Sequence, residues 1–179
     1  MFKHHIIKLV LLLTALHIGC KGESKANQDM DFETAVAALE ERKNKAAELE
    51  AKLCSEFPKQ LVLKHHPDGK RIDIEPTQLS CKIKLFYGDQ DHEFWEGQVA
   101  VYPNQQEDPF WHYHAKEGRL NHPVKEFGDR AVYVGLTYQL LIIKDGLIYD
   151  IAPPNNGSIT STGKATKEIV FEIARHYKL

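Results

Sequence analysis

Three hydrophobic patterns follow one another along the chain. Residues 6–18 are mostly apolar, with an unbroken run over 9–13. Residues 31–55 change to helical spacing. Leu39, Ala46, Leu49 and Leu53 form a narrow apolar stripe in Ala-, Glu- and Lys-rich text without Gly or Pro, which predicts a long helix. Asp29 or Asp31 can cap it, and Glu41/Lys45 and Glu48/Lys52 are supportive pairs one turn apart. Arg42 interrupts the stripe, and the repeat falls short of three clean heptads. Two readings follow. Either the helix is solvated and its last turns, from about residue 46, dock on a domain, or it is a spacer or oligomerising stalk. The pattern favours docking. Phe57-Pro58 ends the helix.

Beyond residue 59 the period changes to that of strands. Residues 60–64 read as a short strand and 65–69 as a turn. Over 80–87, Cys81, Ile83, Leu85 and Tyr87 share one face, with Lys82 and Lys84 on the other. Residues 94–102 form a second strand with Trp95, Val99 and Val101 on one face, and 110–115 a third. Residues 121–128 read as a loop leading into a strand over 130–136. Strands 138–143 and 147–151 flank Lys144-Asp145-Gly146, a tight-turn signal. Both are apolar on both faces, which places them centrally in a sheet. A Pro/Asn/Gly/Ser/Thr loop over 153–163 precedes a final helix, about 164–177, capped near Thr162. Its core stripe is Ile169, Val170, Ile173, Ala174 and Tyr177. The expected fold is α+β: a mostly antiparallel sheet of five or six strands, with the N-terminal long helix and the C-terminal helix packed on one face.

The segment ahead of the long helix carries an address. Lys3 and Lys8 precede the apolar core, and Gly19-Cys20 closes it. The core is too short for a membrane span, which needs about 20 apolar residues. These features resemble a bacterial lipoprotein signal peptide, although His17 stands where that motif carries Leu. The resemblance implies cleavage before Cys20, lipidation of Cys20 and anchoring to a membrane. Residues 20–30 then form a polar tether, 31–56 the polar helix and 57–179 the α+β domain. Lys21 after the Cys mildly favours the outer membrane, by the same analogy.

Composition adds limits. The 179 residues contain 42% hydrophobic side chains, enough for a core, and carry a formal charge of −2. Loss of Lys3 and Lys8 with the signal leaves 21 basic against 25 acidic residues, a charge of −4. No basic run offers the phosphate-neutralising surface that nucleic-acid binding requires. With Cys20 lipidated, Cys54 and Cys81 remain, and export to an oxidising compartment favours their pairing as a disulfide. Cys54, Cys81, the stretch Gly128-Asp129-Arg130-Ala131, the Asp145-Gly146 hairpin and the last helix together are similar to small lipoproteins with a PsbP-like α/β sandwich. That resemblance implies a binding or assembly protein and carries over no catalytic residue.

Few residues suggest chemistry. His112 and His114, two apart on a strand, would project together, and imidazole pairs suit zinc or copper. A third ligand, from His92, His122 or Asp91, would have to come close in the fold. His65 and His66 are adjacent and would point apart in a strand. Asp89, Asp91 and Glu93 alternate as in a calcium loop, but Phe94 holds the position where such a loop carries Gly. Residues 157–164 (GSITSTGK) miss the phosphate-loop spacing, and Ala165 follows where Ser or Thr binds magnesium. Tyr102, Phe110, Trp111 and Tyr113 fill the core or form a partner surface. No catalytic motif and no cofactor signature is present. The expectation is a membrane-anchored, non-enzymatic interaction or envelope-assembly module, with a protein partner in the envelope. The alternative is a small-ligand or metal-binding lipoprotein using His112 and His114.

Overall fold

The computed structural model of the protein describes residues 32–78, 80–104, 121–155 and 157–179. The chain divides into two compact units, Met1–Ala35 and Val36–Leu179. Of the first, only residues 32–35 are described, and they are helical. Cys20, the tether, the strand expected over 110–115 and both His112 and His114 lie outside the described residues.

Helix α1 spans Phe32–Ser55. Helix α2 follows at once, over Lys59–His65. Strands β1 Arg71–Pro76, β2 Cys81–Phe86, β3 Phe94–Pro103, β4 Asn121–Val124, β5 Arg130–Val134, β6 Gln139–Lys144 and β7 Leu147–Ala152 come next, and helix α3 closes the order over Thr166–His176. The seven strands make one sheet in the order β1-β2-β3-β7-β6-β5-β4, every neighbouring pair antiparallel. The α+β architecture is as expected, with seven strands among the described residues against the five or six expected. The apolar pair β6–β7 is central, and its two-residue turn places Asp145 at φ 53° and Gly146 at φ 72°, the left-handed pair that a tight hairpin requires.

The departures have local causes. Residues 60–64 are helix, not strand. Leu61 and Leu63 alternate, but Pro58 suits the start of a helix, and burial of Val62 and His65, three residues apart, selects the helical period. Residues 121–124 pair with β5 although Pro123 cannot donate to a ladder. This is tolerated because β4 is an edge strand. Strand β1 was not expected from the pattern. It holds the other edge, where Arg71, Asp73 and Glu75 line one face and Pro76 ends it, features that discourage further pairing. Helix α3 begins two residues late. Thr162 does not cap it. Ala165 is the N-cap residue without a side-chain bond, while the Thr166 hydroxyl donates to the Gly157 carbonyl at 2.6 Å.

All three helices pack on one sheet face. Their buried residues Ala46, Leu53, Cys54, Val62, Ile169, Val170, Ile173 and Ala174 meet Ile83, Leu85, Val99, Leu140, Ile142 and Ile151 of the strands. In α1 burial begins at Ala46, whereas Val36 to Lys45 are exposed or half-exposed. The Tyr177 hydroxyl donates to the Leu53 carbonyl at 2.7 Å and ties the end of α3 to the end of α1. Glu50 accepts the Val101 N–H at 3.0 Å, beyond the start of β2, so α1 satisfies a donor that β2 is too short to reach. On the opposite face, Val132, Val134, Leu141, Ile143 and Ile148 form a second buried cluster. Gly128, at φ 53°, passes so close to the Ile143 carbonyl that a Cβ would collide with it. Only glycine therefore enters β5 this way.

Candidate functional site

Cys54, one residue from the end of α1, meets Cys81, the first residue of β2. The two are joined in a disulfide with their Cα atoms 5.6 Å apart. The alternation that puts Cys81, Ile83 and Leu85 on the helix-facing side also aims the Cys81 sulfur at α1. Both half-cystines are buried, at 5% and 1% exposure, so the bond is a staple rather than an accessible thiol pair. A cleft of about 370 Å³ opens beside it, lined by Ala51, Cys54, Ser55, Lys59, Ile74 and Pro76.

The two adjacent histidines are the first polar surprise. His65 ends α2 and His66 follows as its C-cap, and both are buried. The chain turns between them, so their rings enter different surroundings. His65 Nδ1 lies 3.5 Å from the Thr162 hydroxyl, and Nε2 lies 3.5 Å from Glu172 Oε2 without a hydrogen bond. Glu172 is instead hydrogen-bonded by Lys164, which holds its carboxyl below the usual range; the nearby His65 adds to this. His66 packs edge-on against Trp95, ring centroids 5.3 Å apart, and its Nδ1 has no hydrogen-bond partner. Burial lowers the His66 pKa, the Asp68 charge opposes this, and His65 reinforces it. Burial thereby favours the neutral form of His66.

The second surprise is Asp150 on β7, 9% exposed on the sheet face opposite the helices. Gln98 of β3 donates Nε2–H to Asp150 Oδ2 at 3.0 Å, and Gln139 of β6 donates to both carboxylate oxygens at 3.3 Å. Burial pushes the carboxyl pKa up to about 6 against the two hydrogen bonds. A lone Asp inside an otherwise apolar strand (LIYDIA) is the sequence signal that could have found it.

Several of the remaining sequence candidates among the described residues make local structural contacts. Lys70 pairs with Asp89 and Arg71 with Asp91, while Glu93 accepts the Gln90 N–H at 2.9 Å. These acids thus serve a hairpin loop. In 157–164, the Thr160 N–H donates to the Lys164 carbonyl and the Gly163 N–H to the Thr160 carbonyl, so these amides are spent inside the loop. His122 stacks on Tyr133, ring centroids 6.2 Å apart. Among the described residues no group of three or more His, Cys, Asp or Glu side chains could hold a metal ion. Among them, too, no helix is long and apolar enough to cross a membrane. The chain matches no protein-family model, no curated protein and no solved structure.

Proposed function

We propose that the chain is an exported lipoprotein, anchored by lipid on Cys20, whose α+β domain is a non-enzymatic interaction or assembly module of the cell envelope. The observation that carries this reading is the buried Cys54–Cys81 disulfide. Such bonds form and persist in oxidising compartments and are rare in reducing ones. Its presence agrees with a signal segment that ends at the remaining cysteine, Cys20. The exposed turns of α1, about 15 Å over Val36 to Lys45, suit a spacer between an anchor and the docked part of the helix.

The test is a comparison of the full chain with Cys20→Ser in its own bacterium. Radiolabelled palmitate should enter the wild-type protein and not the variant, and the variant should leave the membrane fraction. Cross-linking in intact cells, read by mass spectrometry, should return an envelope protein with the wild type and much less of it with the variant. Equal labelling of the two chains would remove the anchor. Cross-links no different from those of Cys20→Ser would remove the partner.

A further inference from the structure

The sheet face opposite the helices carries a built polar cleft. Its geometry follows from strand register. Gln98 pairs with Ala152 across β3 and β7, and Gln139, two residues before Leu141 on β6, falls in line with Ala152 on the other side. Two long carboxamides therefore flank one small side chain. Asp150 sits one row behind, between Ala100 and Leu141. The glutamines reach back to it with their nitrogens. On Gln98 the nitrogen is the atom committed to the carboxylate, so its carbonyl oxygen takes no part in that bond, while the Gln139 oxygen accepts the Thr137 hydroxyl at 2.6 Å. Glu96, Gly97 and Thr137 complete a cleft of about 200 Å³ over Ala152.

This arrangement is costly as a purely structural device. A valine or leucine at position 150 would continue the apolar cluster of Leu141 and Ile148 without a buried charge. Burial instead holds the Asp150 pKa near 6, and only the two glutamine hydrogen bonds oppose it. Glu96 on the rim is met by Lys82 at 3.4 Å, but both are largely solvated, so that pair screens the cleft weakly. The cleft presents acceptors (the Gln98 carbonyl, the Thr137 hydroxyl oxygen and the Glu96 carboxylate) with a carboxylate behind them.

We propose that the cleft formed by Gln98, Gln139, Thr137 and Glu96 over Ala152, backed by Asp150, binds a guanidinium group. A planar, donor-rich cation satisfies several acceptors at once and supplies the charge that the buried carboxylate lacks. The group belongs either to a free solute or to an arginine side chain of a partner. The site is independent of whether Cys20 is lipidated.

The test uses the soluble mature chain at pH 7.5 and follows the side-chain amide resonances of Gln98 and Gln139. Three probes are titrated: agmatine, a Gly-Gly-Arg-Gly-Gly peptide, and the same peptide with neutral citrulline for arginine. Both amides should shift with agmatine, with the arginine peptide or with both, and not with the citrulline peptide. A response to agmatine alone assigns a free solute; a response that includes the peptide assigns a protein side chain. Asp150→Asn should weaken binding at least about tenfold, the scale of losing a unit charge a few ångströms from a cation near the protein surface. Ala152→Leu should fill the cleft and abolish binding while the urea midpoint is retained. No shift with either cation, equal shifts with citrulline, or wild-type binding by both variants overturns the proposal.

Discussion

The two faces of the sheet bury different chemistry. The helix-covered face is held by apolar packing and by a covalent bond. Its strand residues Ile83, Leu85, Val99, Leu140, Ile142 and Ile151 are fully buried, and the Cys54–Cys81 staple joins helix to sheet there. The opposite face is graded. Mixed charges on β1 and β2 (Arg71, Asp73, Glu75, Lys82, Lys84) give way to the Gln98–Asp150–Gln139 cluster and then to the five apolar residues around Leu141. One face is thus optimised for stability, while the other retains a polar group that lowers it. A side chain kept at such a cost at the edge of a cleft points to binding.

The largest expected effect belongs to the helix face. The disulfide closes a loop of 27 residues, and its loss relieves the unfolded chain of a constraint worth roughly 3–4 kcal/mol. Cys54→Ala/Cys81→Ala should lower the unfolding free energy in urea by about that amount, with further loss from the small cavities left behind. A change below about 1 kcal/mol would mean that packing of α1 alone fixes the helix and that the contrast between the faces is overstated.

The opposite face should respond with the opposite sign. Asp150 has a folded pKa of about 6 against about 4 in an unfolded chain, so the folded state holds its proton more tightly. Its contribution is favourable below pH 4 and is lost as the pH rises through 6. The two-unit difference corresponds to a cost of roughly 3 kcal/mol at neutral pH. Asp150→Asn should therefore raise stability at pH 7.5 and leave it little changed at pH 4, in parallel urea titrations. The net gain will be smaller where the new amide fits the two glutamines less well. A variant that is less stable at pH 7.5 would show that the carboxylate's hydrogen bonds outweigh its desolvation.

Much of the helix face was legible in the sequence, and little of the other. The alternation over β2 placed Cys81, Ile83 and Leu85 on one side, and the stripe Ile169, Val170, Ile173 and Ala174 marked the buried side of α3. Both are periodic signals that one packed surface imposes on a whole element. The Asp-Gly turn between β6 and β7 was equally plain, because its backbone demands those residues. Strand β1 does alternate, but with Arg71, Asp73 and Glu75 on one side it offers only Ile72 and Ile74 as an apolar signal on the other. Strand β4 was obscured by Pro123, which is acceptable only at an edge, and edges are a property of the finished sheet. The polar clusters were illegible for a stronger reason. Gln98, Gln139 and Asp150 come from three strands, and Asp150 and Gln98 are 52 residues apart. His65 and Glu172 meet only because α2 and α3 pack together. No local period records a meeting of that kind.

The smallest effect tests whether the faces titrate in opposite directions. His66 is buried against Trp95, and burial lowers its pKa despite the charge of Asp68, with His65 acting in the same direction as burial. The unfolded chain therefore binds a proton near pH 6.5 that the folded chain resists. By linkage this part of the stability is fully present above pH 6.5 and is lost as the pH falls below it, the reverse of Asp150. His66→Phe keeps an aromatic ring beside Trp95 and removes the titration. Between pH 7.5 and 5.5 the wild type should lose stability relative to this variant, measured as the difference in urea midpoint at each pH. In an Asp150→Asn background, where the opposing slope is gone, the acid-side loss due to His66 should stand out more clearly. If His66→Phe and wild type follow parallel curves in that background, the folded protein admits the proton at no cost, and the helix face is less dry around Trp95 than its burial implies.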